Sequence, residues 1–270
     1  MKKIAIIGQG YVGKAFKDFL RQHYDLTTYD PAHNAEYPEA AIRECELAVI
    51  CVPTPIGLDG SCDTSIVERA LKRLDNPRIL IKSTVPPTTT ERLRVQTGKK
   101  ICFSPEYIGE STYFNPIHQS IAETPFVIVG GPDDEVGYYF DIFEPVMGPH
   151  ATYYSCSASE AELIKYMANS YLAAKVTFAN EFYEITKTFG LNWHRVREGW
   201  LLDERVGRAF SSVFANKRGF GGKCLPKDVS GIVSAAVGRG YFADFLSEVL
   251  KSNERFTTMN EPSSKTMSLS

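Results

Sequence analysis

Residues 3–13, KIAIIGQGYVG, decide the fold that this sequence predicts. The apolar run at its start predicts a short buried strand, and the glycines that follow open an amphipathic segment that continues to Leu20. We expect Gly8 to make the tight turn, Gly10 to let a pyrophosphate approach the backbone, and Gly13 to let helix and strand pack closely. Strand, GxGxxG and helix in this order are typical of a dinucleotide-binding βαβ unit.

The same segment predicts which dinucleotide binds. The helix N-terminus, where Tyr11 and Val12 stand, would hold the phosphates. Asp30 ends the second predicted strand and is placed to accept both ribose hydroxyls, whereas its charge would repel a 2′-phosphate. No arginine follows it in residues 31–33, so the pattern favours NAD over NADP. A glycine turn in some other nucleotide or flavin domain is the alternative interpretation.

Further apolar runs are continuous rather than alternating, which is typical of parallel strands covered on both faces by helices. These runs lie at residues 47–52, 78–82, 100–103 and 126–129, with a predicted helix at 64–74. The sequence therefore predicts an α/β fold with a doubly wound, mostly parallel Rossmann-type sheet. Polar turn residues follow several runs, where sheets of this kind bind ligands.

The second part of the chain predicts an all-helical domain. Ser159 and Glu162 have the spacing of a capping box, and no glycine or proline interrupts residues 160–189, so we expect a long helix that joins the two domains as a spine. A short helix over 191–202 carries both tryptophans, which we expect in the core, and two more helices end near residue 253. The predicted organisation is an NAD-binding domain over 1–157, a helical domain over 158–253 and a disordered tail over 254–270.

Residues 219–228, GFGGKCLPKD, carry the candidate nucleophile. Pro226 fits the first turn of a helix, which places Cys224 just outside the helix N-terminus between Lys223 and Lys227. The helix dipole and these cations favour a thiolate. Asp228 falls in the first helical turn and can point back toward the sulfur. A buried structural cysteine in a glycine-rich turn is the alternative.

This run resembles the catalytic-cysteine segment of the UDP-glucose/GDP-mannose dehydrogenase family, whose members oxidise a nucleotide-sugar alcohol to a carboxylate with two NAD. The resemblance covers residues 1 to about 253. It implies that a first hydride leaves the alcohol carbon for NAD and that Cys224 captures the aldehyde as a thiohemiacetal. Loss of a second hydride gives a thioester, and water then releases the acid.

The resemblance also implies roles for side chains after the strands. Thr54 and Thr84 would line the cofactor, and Thr84 would help to hold a catalytic water. In residues 105–110, PEYIGE, both family glutamates are present, but Gly109 stands where the family has a basic residue. The resemblance implies that Glu110 acts as an acid or base near the nicotinamide. It implies that Glu106 holds water or substrate. A solvated helix start is the alternative for Glu110.

The helical domain supplies the remaining residues of the resemblance. Lys165 and Asn169 are four apart and share one helix face, and in the family they stabilise the oxyanion and orient the alcohol. A solvated helix face is the alternative for this pair. By family position Phe214 and Gly221 contribute to the wall around the sugar, and Lys227 reaches the NAD pyrophosphate.

Composition excludes other classes of function. The 270 residues contain 30 Lys and Arg and 32 Asp and Glu, a formal charge of -2, which argues against nucleic-acid or anionic-membrane partners. No apolar run has the roughly 18 residues that a membrane helix needs. The six cysteines are dispersed without metal-ligand spacing, so we expect free thiols and no metal. Glycines interrupt the apolar N-terminus before a signal peptide is complete, and we expect a cytoplasmic protein.

Family members continue into a third domain that grips the nucleotide, and the present sequence shows no counterpart. Three outcomes follow: a separate chain supplies that domain, a smaller substrate is used, or activity is lost. The resemblance also implies a homodimer along the long helix. Two other functions stay open, namely a two-electron hydroxyacid dehydrogenase, which needs no cysteine, and a non-catalytic NAD-binding subunit.

Overall fold

The computed structural model describes residues 1–108 and 121–260. These residues form a seven-stranded sheet with the order β2-β1-β3-β4-β5-β6-β7. All neighbouring strands are parallel except β5 and β6, which pair antiparallel through Phe103 and Gly130. The strands are β1 (Lys3–Ile7), β2 (Asp25–Tyr29), β3 (Leu47–Ile50), β4 (Arg78–Ile81), β5 (Ile101–Phe103), β6 (Phe126–Gly130) and β7 (Thr152–Cys156).

Helices connect these strands, and further helices follow β7. In the described residues they are α1 (Tyr11–Leu20), α2 (Glu39–Arg43), α3 (Ser65–Lys72), α4 (Thr89–Thr97), α5 (Asp133–Met147), α6 (Ala158–Thr188), α7 (Trp193–Trp200), α8 (Leu225–Val237) and α9 (Asp244–Thr258). A short 3₁₀ turn lies at Ile121–Glu123. The doubly wound, mostly parallel sheet followed by helices confirms the predicted fold class.

The described chain divides into two compact units, the first running to Met167 and the second starting at Ala168, so the division falls within α6. In the first unit every residue of β3 is buried, as its unbroken apolar sequence predicts. Two hydrophobic clusters pack against the sheet. One includes Phe16 of α1 and Phe143 of α5, and the other includes Leu71 of α3. Burial on both sides stabilises the sheet, whose strands lead into the candidate residues Asp30, Thr54 and Thr84.

The second unit has a smaller core. Ala173 and Val176 of α6 pack with Phe220, Val229 of α8 and Val249 of α9. The segment before α8 is therefore tied into this core by the ring of Phe220.

The predicted capping box of α6 is wrong by two residues. Ser157 and Glu160 form it, because the Glu160 N–H donates to Ser157 Oγ at 3.2 Å and the Ser157 N–H donates to Glu160 Oε2 at 2.8 Å. Glu162 is instead fully buried and accepts a hydrogen bond from the Thr90 N–H at 2.7 Å. The two serines are equivalent by spacing, and packing of α6 onto α4 decides between them.

Other differences concern the C-terminal half and the sheet edge. β7 was not predicted, because its largely exposed side chains lack an apolar run. The predicted boundary at residue 253 falls inside α9, which continues to Thr258, so the start of the predicted disordered tail is helical. Residues 261–270 lie outside the described residues. Trp193 is buried as predicted, whereas Trp200 is only half-buried against the ring of Phe178.

None of the helices in the described part of the chain is both long and apolar enough to cross a membrane.

Candidate active site

The glycines of the β1–α1 turn are required by close contacts with the backbone. Gly8 has φ +95°, and a Cβ on it would lie 2.5 Å from the carbonyl oxygen of Cys51. A Cβ on Gly13 would lie 1.9 Å from the carbonyl oxygen of Gly8. Both distances are shorter than any atomic contact allows, so the predicted tight turn and close helix packing are confirmed.

Gly10 differs from these two glycines. It is exposed, and no heavy atom lies within 4 Å of the position that a Cβ would take. Tyr11 and Val12 start α1 beside it, and the first turn of α1 carries no acidic side chain. A helix N-terminus that attracts anions and is left open by a missing Cβ fits the pyrophosphate of NAD.

Asp30 directly follows β2 and is held beside this turn. The Gln9 N–H donates to its Oδ2 at 2.7 Å and the Ala32 N–H donates to its Oδ1 at 2.8 Å. The hydrogen bond from Gln9, more than any other contact, lowers the pKa of the Asp30 carboxyl. The side chain is therefore an anion at neutral pH, which suits a ribose diol and disfavours a 2′-phosphate.

The two predicted threonines are brought together at the ends of β3 and β4. Thr54 is buried, and its Oγ1 donates to the carbonyl oxygen of Thr84 at 2.8 Å. The Sγ of buried Cys62 also lies 3.6 Å from that oxygen. The loops after two neighbouring strands are thus joined on the same edge as the glycine turn.

Glu106 forms a buried ion pair that sequence reasoning missed. Its Oε1 accepts from the N–H groups of Tyr107 and Ile108, and its Oε2 lies 3.2 Å from Nζ of Lys82. Lys82 is only 4% exposed and also donates to Ser104 Oγ at 3.3 Å. The sequence signal that could have indicated this ion pair is a lysine at the end of a buried apolar run. Glu110, the other predicted carboxylate, lies outside the described residues.

Lys165 contacts the same segment. Its Nζ donates to the carbonyl oxygen of Glu106 at 2.5 Å and lies 5.2 Å from the centroid of the Tyr107 ring. An ammonium in this position combines a charge-assisted hydrogen bond with a cation–π contact. Lys165 is therefore held against the loop after β5.

Asn169, one turn further along α6, connects to α8. Its Nδ2 donates to Oδ2 of Asp228 at 2.5 Å, and both side chains are buried. Nζ of Lys227 lies 2.5 Å from Oδ1 of the same aspartate. Sequence spacing placed Lys165 and Asn169 on one helix face, but it did not show that Asn169 orients Asp228. Lys227, which we predicted to reach a pyrophosphate, pairs with Asp228 in this structure.

Cys224 stands at the N-cap of α8, with Pro226 in the first turn, as predicted. It is exposed and not disulfide-bonded, which does not fit the alternative of a buried structural cysteine. Gly221 is also exposed, with no heavy atom within 4 Å of its Cβ position. Phe214 is half-buried and forms an isolated backbone bridge with Lys217.

A buried polar network precedes the cysteine segment. Arg218 is 3% exposed, its Nε donates to Oδ1 of Asn180 at 2.8 Å, and its Nη1 lies 2.6 Å from Oε1 of Glu184. Asn180 thus ties α6 to the chain before Cys224, a role that no local sequence pattern indicates.

These features define a class of protein: a dinucleotide-binding Rossmann-type unit joined to a helical unit with an exposed thiol at a helix N-terminus. Comparison with known families is more specific. Residues 32–145 match the NAD binding domain, and residues 159–255 the central domain, of the UDP-glucose/GDP-mannose dehydrogenase family. The chain belongs to this family. The glycine turn and Asp30 precede the matched range, so their assignment rests on the geometry above.

Individual relatives agree with this family. The UDP-glucose 6-dehydrogenase AglM of Haloferax volcanii is 28% identical, over 93% of this chain and 69% of its own length. The structure of a UDP-glucose dehydrogenase from Pyrobaculum islandicum has a TM-score of 0.80 and 28% identity, over 94% of this chain and 68% of that one. The chain spans 50–73% of the length of eight curated relatives with UDP-glucose or GDP-mannose 6-dehydrogenase names.

A further similarity shows the fold alone. The 3-hydroxyisobutyrate dehydrogenase of Mycobacterium tuberculosis has a TM-score of 0.69 at 18% identity, over 96% of this chain and 95% of that one. A Rossmann unit followed by helices is thus shared by different dehydrogenases, and side chains rather than fold must identify the reaction.

Proposed function

We propose that the protein oxidises the primary alcohol of a nucleotide sugar to a carboxylate, with NAD as the hydride acceptor. The observation that carries this proposal is the exposed Cys224 at the N-cap of α8, four residues before a buried Asp228 that Asn169 holds in place. A two-electron oxidation of an alcohol does not need a thiol, whereas a four-electron oxidation needs a group that retains the aldehyde.

Cys224 is the proposed nucleophile. The N-terminal end of α8 favours the thiolate over the thiol. Attack of Sγ on the aldehyde carbon forms a C–S bond and gives a thiohemiacetal, and loss of a hydride and a proton converts this to a thioester. Water then breaks the C–S bond, which releases the carboxylate and returns the thiol. Bound NAD supplies the hydride acceptor for each of the two oxidations.

Polar residues of both units have proposed roles in proton transfer and charge stabilisation. Asp228 accepts a hydrogen bond from Asn169, and this contact holds its carboxylate for work as an acid, a base or a water-holder. Lys165 and Asn169 would stabilise the oxyanion. Glu106, Glu110 and Thr84 would hold water or move a proton, and Phe214 and Gly221 would contact the sugar.

NAD is proposed to bind the first unit through the glycine turn and the neighbouring strand ends. The open position at Gly10 and the start of α1 at Tyr11 and Val12 support a pyrophosphate site. Asp30 would accept the hydroxyls of the adenosine ribose, and Thr54 and Thr84 would line the site. Lys227 would leave Asp228 and contact the pyrophosphate.

A two-electron hydroxyacid dehydrogenase is the second candidate, favoured by the similarity in fold to the hydroxyisobutyrate enzyme. It predicts one NADH for each product molecule and activity that iodoacetamide leaves unchanged. A non-catalytic subunit is the third candidate, and it predicts NAD binding without NADH formation. If a separate chain grips the nucleotide of the sugar, adding that chain will lower the KM for the sugar.

The proposed assembly is a homodimer along α6. One row of this helix, with spacings of three, four and seven residues, carries large apolar side chains that are 39–73% exposed, which is unusual for a surface in contact with water. They are Leu163, Met167, Tyr171, Phe178, Phe182 and Ile185. Sedimentation analysis should give twice the monomer mass for the parent protein and a smaller mass for Phe182→Glu. A monomeric parent would reject this assembly.

The function is tested by following NADH absorbance with UDP-glucose, GDP-mannose and UDP-N-acetyl sugars. We expect two NADH for each acid molecule with one of these substrates. Cys224→Ser should stop acid formation, whereas the control Cys156→Ser, at a half-buried thiol of β7, should not. Unchanged acid output from Cys224→Ser would reject the proposal.

A further inference from the structure

The backbone of Phe220, four residues before Cys224, is held by a buried side chain of α9. Asn253 is 7% exposed, and its Oδ1 accepts from the Phe220 N–H at 2.6 Å. Its Nδ2 donates to the carbonyl oxygen of Phe220 at 2.9 Å. One amide therefore binds both polar groups of one backbone residue, as a neighbouring strand would.

Gly219 makes this close approach possible. Its φ is +71°, and a Cβ on it would lie 2.5 Å from Oδ1 of Asn253 and 3.1 Å from Cγ2 of Thr257. The ring of Phe220 is buried with Val176 and other residues of the helical core. The residue is thus fixed through both its backbone and its side chain.

The chain before this point is anchored independently. Arg218 contacts Asn180 and Glu184, and the Gly219 N–H donates to Oδ1 of Asn180 at 3.2 Å. The Arg218 N–H also donates to Oδ1 of Asn260 at 2.6 Å. Removal of Asn253 therefore leaves several contacts that hold Arg218.

The two residues after Phe220 are less closely packed. Gly221 and Gly222 are exposed, and no heavy atom lies within 4 Å of either Cβ position. Glycines have the largest backbone freedom of all residues. The start of α8 is held on the other side by the bond between Asp228 and Asn169. Phe220 is therefore the last residue before Cys224 at which buried contacts limit that freedom.

We propose that Asn253 is a positioning residue for the nucleophile, which acts by fixing Phe220 so that Cys224 stays at the N-cap of α8. The expected loss of kcat rests on the proposed function. The expected loss of thiol reactivity does not. A displacement of about 1 Å between reacting atoms costs about 100-fold in rate, and a thiol that leaves a helix N-terminus loses the electrostatic support for its thiolate.

The test compares Asn253→Ala and Asn253→Asp with the control Asn260→Ala. The aspartate has the same shape but no donor for the carbonyl oxygen of Phe220, whereas the control removes another amide that binds this segment. The readouts are the rate of iodoacetamide alkylation of Cys224 against pH, kcat and KM with nucleotide sugar and NAD, and the melting temperature. Cys224→Ser protein defines the background of alkylation.

We expect Asn253→Ala to lower kcat about 100-fold with little change in the KM for NAD. The alkylation rate at pH 7 should fall roughly tenfold, with its midpoint moved toward that of a free cysteine. Asn253→Asp should lower kcat and the alkylation rate as well. Asn260→Ala should retain the parental kcat and alkylation rate. An Asn253→Ala protein with parental kcat and alkylation profile overturns the proposal, even if its melting temperature is lower.

If Asn253→Ala does not fold, Asn253→Asp decides by the same criteria. Absence of nucleotide-sugar oxidation in the parent protein would reject the proposed function, and the alkylation profiles would still test the positioning of Cys224. The two failures are therefore distinguishable.

Discussion

Two glycine-rich turns lead into helices in this protein, and they are held in different ways. In the turn before α1, Gly8 and Gly13 meet backbone atoms of Cys51 and of the turn itself. In the segment before α8, Gly219 meets the side chain of Asn253, which lies 33 residues from Phe220 in the sequence. The first turn is fixed by the regular sheet, the second by individual polar side chains.

This difference has consequences for how each region responds to mutation. Backbone contacts of a parallel sheet persist when surface side chains change, so the first turn depends chiefly on its own glycines. Buried side-chain networks are strong when every partner is present and costly when one is removed. We therefore expect the cysteine segment to be sensitive to residues far from it in sequence.

The largest expected effect is at Arg218. Arg218→Ala leaves half-buried Glu184 and buried Asn180 without the guanidinium that they contact. Removing one member of a buried ion pair typically costs about 3–5 kcal/mol, and the partial exposure of Glu184 places the expected loss toward the lower end of this range. Urea unfolding followed by fluorescence measures this loss. Arg208→Ala removes an exposed arginine that pairs with Glu198 and should cost less than about 1 kcal/mol. Equal losses of unfolding free energy in the two variants would contradict the view that buried side chains hold the cysteine segment.

The next effect concerns the first turn itself. Gly13→Ala places a Cβ against the carbonyl oxygen of Gly8 and should destabilise the protein by about 3 kcal/mol, the upper range for overpacking. Gly10→Ala is the matched variant, because its Cβ enters open space. It should unfold like the parent but bind NAD more weakly in calorimetry. Similar stability of the two variants would show that the close contact is not needed.

The same contrast explains what the sequence could predict. The β1–α1 turn, Asp30 and strands β1 to β6 form local patterns, so their positions follow from neighbouring residues and were confirmed. β7 has no apolar run and was not predicted. The polar side chains that hold the cysteine segment, including Asn180 and Asn253, come from other helices and have no local signature. Lys82 was missed because a charged residue at the end of an apolar run is ordinarily assigned to solvent. The capping box failed because Ser157 and Ser159 differ in packing rather than in spacing.

The first unit also contains a buried carboxyl, that of Glu162, whose charged form is expected to destabilise the fold. Burial raises the pKa of its carboxyl to about 7, against hydrogen bonds from Thr90 that lower the pKa. The folded state therefore favours the protonated acid. The resulting stability is fully present below the ordinary pKa of 4.5 and is lost as the pH rises through about 7.

Replacement of Glu162 isolates this contribution. Between pH 5 and pH 8 the free energy of unfolding of the parent should fall, relative to Glu162→Gln, by on the order of 2 kcal/mol. Urea titrations at the two pH values measure the difference. Glu36→Gln, at an exposed position, should follow the parent at both. A parallel pH dependence of parent and Glu162→Gln would show that this carboxyl is not protonated in the folded protein.

The smallest expected effect is at Asp30, whose carboxylate is oriented by backbone N–H groups of the first turn. Asp30→Ala should weaken NAD binding about tenfold, or about 1.4 kcal/mol, because the acceptor for the ribose hydroxyls is removed. It should also reduce the preference for NAD over NADP, because the charge that repels a 2′-phosphate is removed. Calorimetric titration with both dinucleotides measures the change. Asp59→Ala, an exposed aspartate in another loop, serves as control. Retained discrimination against NADP would assign that role to another residue.

The covalent step at Cys224 is tested most directly by mass spectrometry of the protein quenched during turnover with NAD and the nucleotide sugar that gives the strongest NADH signal. We predict that the peptide containing Cys224 carries the mass of the sugar acyl group, and that no such mass is found on the other cysteine peptides. Formation of acid and two NADH without any adduct on this peptide, together with full activity of Cys224→Ser, would contradict the account.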